Sequence, residues 1–276
     1  MKNILIPYDF SEAAINALNY TKKLFEGKKI NIFLLDVYIG KKPNLISEEK
    51  SKAWFNEMDN DIEDELSYLI NGLNNEDNGF VYNAIVDANS LIGAVKDVIN
   101  EEKIDLIISG TKGAKSVAET FIGTNTLKIV NNIYTVPIIV VPASFKYKSL
   151  HHIVFSTNYK RKTKKEELEA LLTIAANKNS SIEVVNLSEE TLLTDKQKQN
   201  RSQLQSLLAN YDNEFFKLDW EESETTTIQS YIQETEKNLL ALINHKYNFF
   251  YRLSQENVIK KATFNSNIPI LILPEL

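Results

Sequence analysis

Apolar residues along the chain fall into short runs that alternate with amphipathic segments. Ile4-Leu5-Ile6-Pro7 has the look of a buried strand and leads into Tyr8-Asp9-Phe10-Ser11. Ser11 is placed to cap a helix over residues 12–25, which carries Ala14, Leu18, Thr21 and Phe25 near one face and ends at Gly27. A second strand is predicted over 30–37, nearly continuous in apolar residues around Asp36. An acidic helix over 47–73, a strand over 80–86, a helix over 88–102 and a strand over 104–109 follow. Residues 124–133 return to helical spacing, with Leu127, Val130 and Ile133, before the last run, Val136-Pro137-Ile138-Ile139-Val140-Val141-Pro142.

Strands that alternate with helices predict a parallel sheet covered on both faces. Ligands of such sheets sit beyond the carboxyl ends of the strands. The loops that begin at Pro7, Val37 and Gly110 therefore converge on one edge.

From His151 the pattern starts again. Ile153-Val154-Phe155 mirrors Ile4-Leu5-Ile6, and Asn158 stands where Asp9 does. Strands are predicted over 182–187, 214–218 and 247–253, with helices over 188–209 and 226–244. The end repeats most clearly, as Ile268-Pro269-Ile270-Leu271-Ile272-Leu273-Pro274. This is an internal duplication, with units at 1–145 and 150–276. On this reading the second copy is degenerate, with about ten fewer residues before its final strand than the first copy has.

Composition narrows the function classes. The 276 residues suit two domains and are 43% hydrophobic and 25% charged, as in ordinary globular chains. A net charge of −6 without a long basic run gives nucleic-acid binding little support. No apolar stretch reaches the roughly 20 residues of a membrane span, and the N-terminus is too short in apolar residues for a signal peptide. The chain has no cysteine, which removes disulfides and thiolate metal sites. A cytoplasmic location is the resulting expectation.

The candidate chemistry lies in Gly110-x2-Gly113-x9-Gly123-Thr124. A strand, a glycine-bearing loop and a helix start form an anion site, because free backbone N–H groups there point outward. A side chain in such a loop would hinder close approach of a phosphate. The alternative is that the glycines only shape turns. Against it, all eight glycines lie at or before Gly123, so the second copy builds its fold without them.

These residues resemble the ATP-binding motif of universal stress proteins. Ile4-Leu5-Ile6-Pro7-Tyr8-Asp9-Phe10-Ser11 is similar to that family's first strand, and Val136 to Pro142 to its last. The resemblance covers the chain as a tandem pair. It implies two five-stranded parallel α/β sandwiches, Rossmann-like and akin to the adenine nucleotide alpha hydrolases, with ATP, with or without Mg2+, bound at the first. By the same resemblance Pro7 and Asp9 lie by the adenosine and Val37 meets the adenine through its backbone. Gly110, Gly113, Gly123, Thr124 and Asn125 wrap ribose and phosphates. Ser116 departs from the family pattern, in which many members have a further glycine. The resemblance also implies antiparallel pairing of the two last strands within one chain, a built-in pseudo-dimer, and leaves a homodimer open.

Some assignments stay open at this level. Asp9 could cap the following helix or meet a ligand. Asp36 reads as a satisfied structural acid. Lys112 and Lys115 could meet phosphate or only solvent, and Trp54 and Trp220 read as core or interface residues. His151, His152 and His245 have no metal-ligand spacing. The leading expectation is a nucleotide-dependent stress regulator with an unidentified protein partner. A slow ATPase or autophosphorylating enzyme and an interaction module without ligand are the alternatives. No general base stands beside the glycine loop, so efficient catalysis is not expected.

Overall fold

The structure, a computed structural model, describes residues 1–38, 63–76, 78–111, 124–186, 192–219, 221, 224–235, 237–244 and 267–276. The first half runs β1 (Asn3–Pro7), α1 (Glu12–Leu24), β2 (Ile30–Val37), a helix α2 over 63–74, β3 (Phe80–Asp87), α3 (Leu91–Glu101), β4 (Leu106–Thr111), α4 (Thr124–Asn132) and β5 (Ile138–Pro142). The second runs β6 (His152–Thr157), a 3-10 turn (Glu166–Leu168) into α5 (Glu169–Lys178), β7 (Ser181–Asn186), α6 (Asp195–Leu208), β8 (Asn213–Lys217), α7 (Glu224–Thr235), β9 (Leu240–Asn244) and β10 (Ile270–Pro274).

One ten-stranded sheet results, in the order β3-β2-β1-β4-β5-β10-β9-β6-β7-β8. Each half repeats the same order, mirrored about the centre. Neighbouring strands are parallel within each half, and β5 meets β10 antiparallel. That junction pairs Ile270 with Val140, Leu271 with Ile139 and Ile272 with Ile138. Pro137 and Pro269 lie just outside it and cannot donate to the ladder. The central strands are buried throughout, including Leu106, Ile107, Ile139, Leu240 and Leu271. Burial on both faces explains why they read as unbroken apolar runs.

Two sequence expectations change. Residues 226–244 were expected to be one helix, but α7 stops at Thr235 and Leu240–Asn244 is strand β9. Ile232, Leu239 and Ile243 happen to match helical spacing. The five consecutive buried positions of β9 are instead a strand covered on both faces. The strand expected over 247–253 lies outside the described residues. With β9 in place, Asn244 pairs with Pro274 as Thr111 pairs with Pro142. Residues 112–137 and 245–269 are then equivalent connections that match in length to within one residue. The second half has lost the glycines of this connection, not its length.

The second half closes its loop edge with a buried carboxylate. Glu167 is fully buried, and both its oxygens lie 2.9 Å from Arg161 nitrogens. It also accepts from the backbone N–H of Lys164 at 2.8 Å and of Leu276 at 3.0 Å. Burial pushes its carboxyl up, but the Arg161 bond and the two N–H donors outweigh this and hold it below the ordinary carboxylate range. The folded state thus prefers the ionised form. Its stabilisation is present above the unfolded carboxyl's range and is lost as pH falls through the folded one. Glu167→Gln is expected to cost about 2 kcal/mol at pH 7, since Arg161 stays partly solvated. Urea unfolding of variant and wild type should show that difference shrinking on acidification.

Candidate functional site

The strand order of the first half reverses between β1 and β4: β1 leads outward to β2, while β4 lies on its other side. A crevice opens at such a switch point. It holds a cavity of about 200 Å3 lined by β1, β2, β4 and the starts of α1, α3 and α4. Pro7, Asp9, Val37, Gly110, Thr124 and Asn125 all line it. Gly113, Gly123, Lys112, Lys115 and Ser116 lie outside the described residues, as do Trp54, Trp220 and His245.

Asp9 sits in a tight turn. Its Oδ1 accepts from the Ser11 N–H at 3.2 Å, Phe10 takes φ 56°, and Ser11 caps α1 through the Ala14 N–H. The second half builds the same turn with an amide. Asn158 Oδ1 accepts from the Lys160 N–H at 3.0 Å, and Tyr159 takes φ 55°. The turn therefore needs an oxygen but not a charge. Capping and ligand contact are not exclusive for Asp9, because its negative charge is surplus to the turn.

Gly110 lies within β4, opposite Val141, and not in the loop. A Cβ on it would stand 2.0 Å from the Ala13 carbonyl oxygen and 2.3 Å from the Ala13 carbonyl carbon. Its first role is thus to let the α1 backbone lie directly on β4. The same register position in the second half is Ile243. There no helical turn begins until Glu166, whereas α1 begins at Glu12, two residues beyond Phe10, the equivalent of Tyr159. The expectation that the fold places no demand on the glycines does not hold for Gly110.

Three lining groups escaped sequence reasoning as members of a site. Thr126 Oγ1 donates to the Gly110 carbonyl at 2.8 Å and lies 3.1 Å from Ser109 Oγ, so two buried hydroxyls tie the first turn of α4 to β4. Hydroxyls at a strand end and a helix start were the available signal. Asp36 was read as a structural acid, yet it faces the cavity with Asp9. Burial first, then the Asp9 charge and that of Glu65, push its carboxyl up to about 6, against a smaller opposing effect of the Val37 N–H. No Lys, Arg or His is among the described residues lining the cavity. Among the described residues no group of three or more His, Asp or Glu could hold a metal ion.

Two outcomes follow from this geometry. Gly110→Ala should destabilise the chain by about 2–3 kcal/mol, because backbone and not a flexible side chain blocks the methyl; chemical denaturation reads this directly. For Asp36, the folded state holds the proton more tightly than the unfolded one, so its contribution to stability falls as pH rises from about 4 to about 6. Asp36→Asn should then stabilise the protein by about 1–2 kcal/mol at pH 8 and little at pH 4, measured as unfolding midpoints across pH.

Residues 1–142 match the family model described as "Universal stress protein family". A universal stress protein from Archaeoglobus fulgidus DSM 4304 is similar over 99% of this chain and 98% of its own, with a TM-score of 0.72 at 14% identity. A protein from Pseudomonas aeruginosa UCBPP-PA14, described as a universal stress protein, covers 99% and 93% with a TM-score of 0.59 at 11% identity. The cytoplasmic domain of a prokaryotic cation chloride cotransporter is similar over 99% and 95%, with a TM-score of 0.54 at 9% identity. At these identities the likeness is one of fold. No curated protein matches the sequence. The family model spans more than half of the chain, including every described residue that lines the cavity, and the chain belongs to the universal stress protein family.

Proposed function

We propose that the first-half cavity binds an adenine nucleotide, ATP with or without Mg2+, and that the protein acts as a nucleotide-dependent regulator or interaction protein of the stress response in the cytoplasm. One observation carries this reading. A single cavity at the switch point joins Pro7, Asp9 and Val37 to Gly110, Thr124 and Asn125, residues drawn from three strand ends, one turn and the start of α4. The N–H groups at the start of α4 supply the anion end, and the carboxylates accept from the hydroxyls or amine of a nucleoside. Gly113 and Gly123 belong to the same reading through the sequence between β4 and α4.

The lining favours binding over turnover. Among the described residues its two acids, Asp9 and Asp36, stand in the β1–α1 turn and on β2, and neither belongs to α4 or to the end of β4. A ligand that binds only the folded form stabilises it by its binding free energy, which gives a protein partner a nucleotide-dependent surface to read.

Mg-ATP at millimolar concentration should raise the thermal midpoint, and denaturing the purified protein should release a nucleotide when one has been retained. Asp9→Asn preserves the turn that Asn158 already makes, so it should keep the ligand-free midpoint and lose most of the shift. No shift in the wild type, together with no released nucleotide, would sink the reading.

A further inference from the structure

The cavity is polar in an ordered way. Asp36 and Val37 line it from β2, Leu91 from the start of α3, Asp9 from the β1–α1 turn, and Ser109, Gly110, Thr124 and Asn125 from β4 and α4. Strand order sets these groups side by side as β2, β1, β4. At about 4.8 Å per strand, β2 lies about 10 Å from β4, roughly the distance from a nucleobase to the phosphates of its nucleotide. The start of α4 is the anion end, because the N–H groups of a helix's first turn have no partner within the helix. The opposite end combines apolar Val37, Leu35 and Leu91 with the Asp36 carboxylate, a setting for a flat base and one edge group.

The second half serves as an internal comparison. In register, Asp36 corresponds to Asn186, just as Asp9 corresponds to Asn158. Asn186 Nδ2 donates to the Thr157 carbonyl at 3.0 Å and is nearly fully buried, so that amide is used within the fold. Both carboxylates of the first half thus stand where the second half satisfies the fold with amides. The acid at position 36 is not required by the strand end it occupies.

We propose that Asp36 reads the edge of the nucleobase: ionised, it accepts a hydrogen bond from an exocyclic amine and excludes a carbonyl, and protonated, it can donate to a carbonyl. This inference rests on the nucleotide reading of the cavity. It makes Asp36 a specificity residue for 6-amino over 6-oxo purines and couples that choice to pH.

The groups that set the proton are few. Asp9 from the β1–α1 turn and Glu65 from α2 repel the Asp36 charge, and the Val37 N–H favours it. Asp87 of β3 is the register partner of Val37. With the carboxyl pushed up to about 6, Asp36 is ionised at pH 8 and protonated at pH 5.

Calorimetric titration of the full chain with ATP and with inosine triphosphate, at pH 8 and pH 5, tests this. The two ligands have the same triphosphate, so its own titration cancels in the ratio of affinities. At pH 8 the wild type should prefer ATP by about tenfold or more, the cost of facing a carbonyl to a charged acceptor. At pH 5 the preference should fall to about twofold, because the acid can then donate. Asp36→Asn, whose amide both donates and accepts, should bind both ligands with a small preference that does not change with pH. A wild-type ratio equal at both pH values, or an Asp36→Asn protein that keeps the pH dependence, overturns the inference and leaves nucleotide binding intact. The first of these needs no variant. Failure of both ligands to bind the wild type at either pH overturns the nucleotide reading and this inference with it.

Discussion

The contact of the α1 backbone with β4 at Gly110 governs the first half. A methyl group at that position would meet the Ala13 carbonyl at 2.0 Å, so the helix can lie where it does only because the strand offers hydrogen there. This close approach fixes the start of α1 and with it the turn at Asp9. Thr126 then bonds the carbonyl of the same glycine from the other side of the crevice. One residue thereby sets the spacing between the two helix starts that border the cavity. In the second half Ile243 takes the position, α5 begins later, and the loop edge is filled by Arg161, Glu167 and their partners.

The duplication joins two sheets with the same need. Each half is parallel and buried on both faces, so each would leave one edge strand beside its switch point exposed. Pairing β5 with β10 removes both edges in one short antiparallel ladder. Beyond the strands, Asn244 of β9 donates to the Val130 carbonyl near the end of α4 at 3.3 Å. The helix whose start lines the cavity is therefore held at its other end by the second half.

Charge distinguishes the halves more than architecture does. Asp9 and Asp36 correspond to Asn158 and Asn186, and each amide does local work that an acid is not needed for. The first half keeps two acids close enough that the charge of one raises the carboxyl of the other. Such a pair is costly to keep, and the amides of the second half show that the turn and the strand end do not require it.

Much of this was legible in the sequence, for physical reasons. Strands buried on both faces write themselves as apolar runs, so β1, β2, β4, β5 and β10 and the repeat they form could be read directly. The loops that begin at Pro7, Val37 and Gly110 could be assigned to one edge because parallel sheets gather loops at the carboxyl ends. Asp9, Thr124 and Asn125 joined the site through the family resemblance. Leu239 to Ile243 could not be read correctly, since a short buried strand and one face of a helix share the same spacing. Register, and hence the near-equal length of the two β–β connections, waited on that strand. The tertiary structure alone decided that Gly110 answers to the backbone of Ala13, that Asp9 keeps a turn an asparagine can keep, and that Asp36 belongs to the cavity. Each of these depends on which backbone or charge comes within a few ångströms from a distant part of the chain, and a linear pattern does not record that.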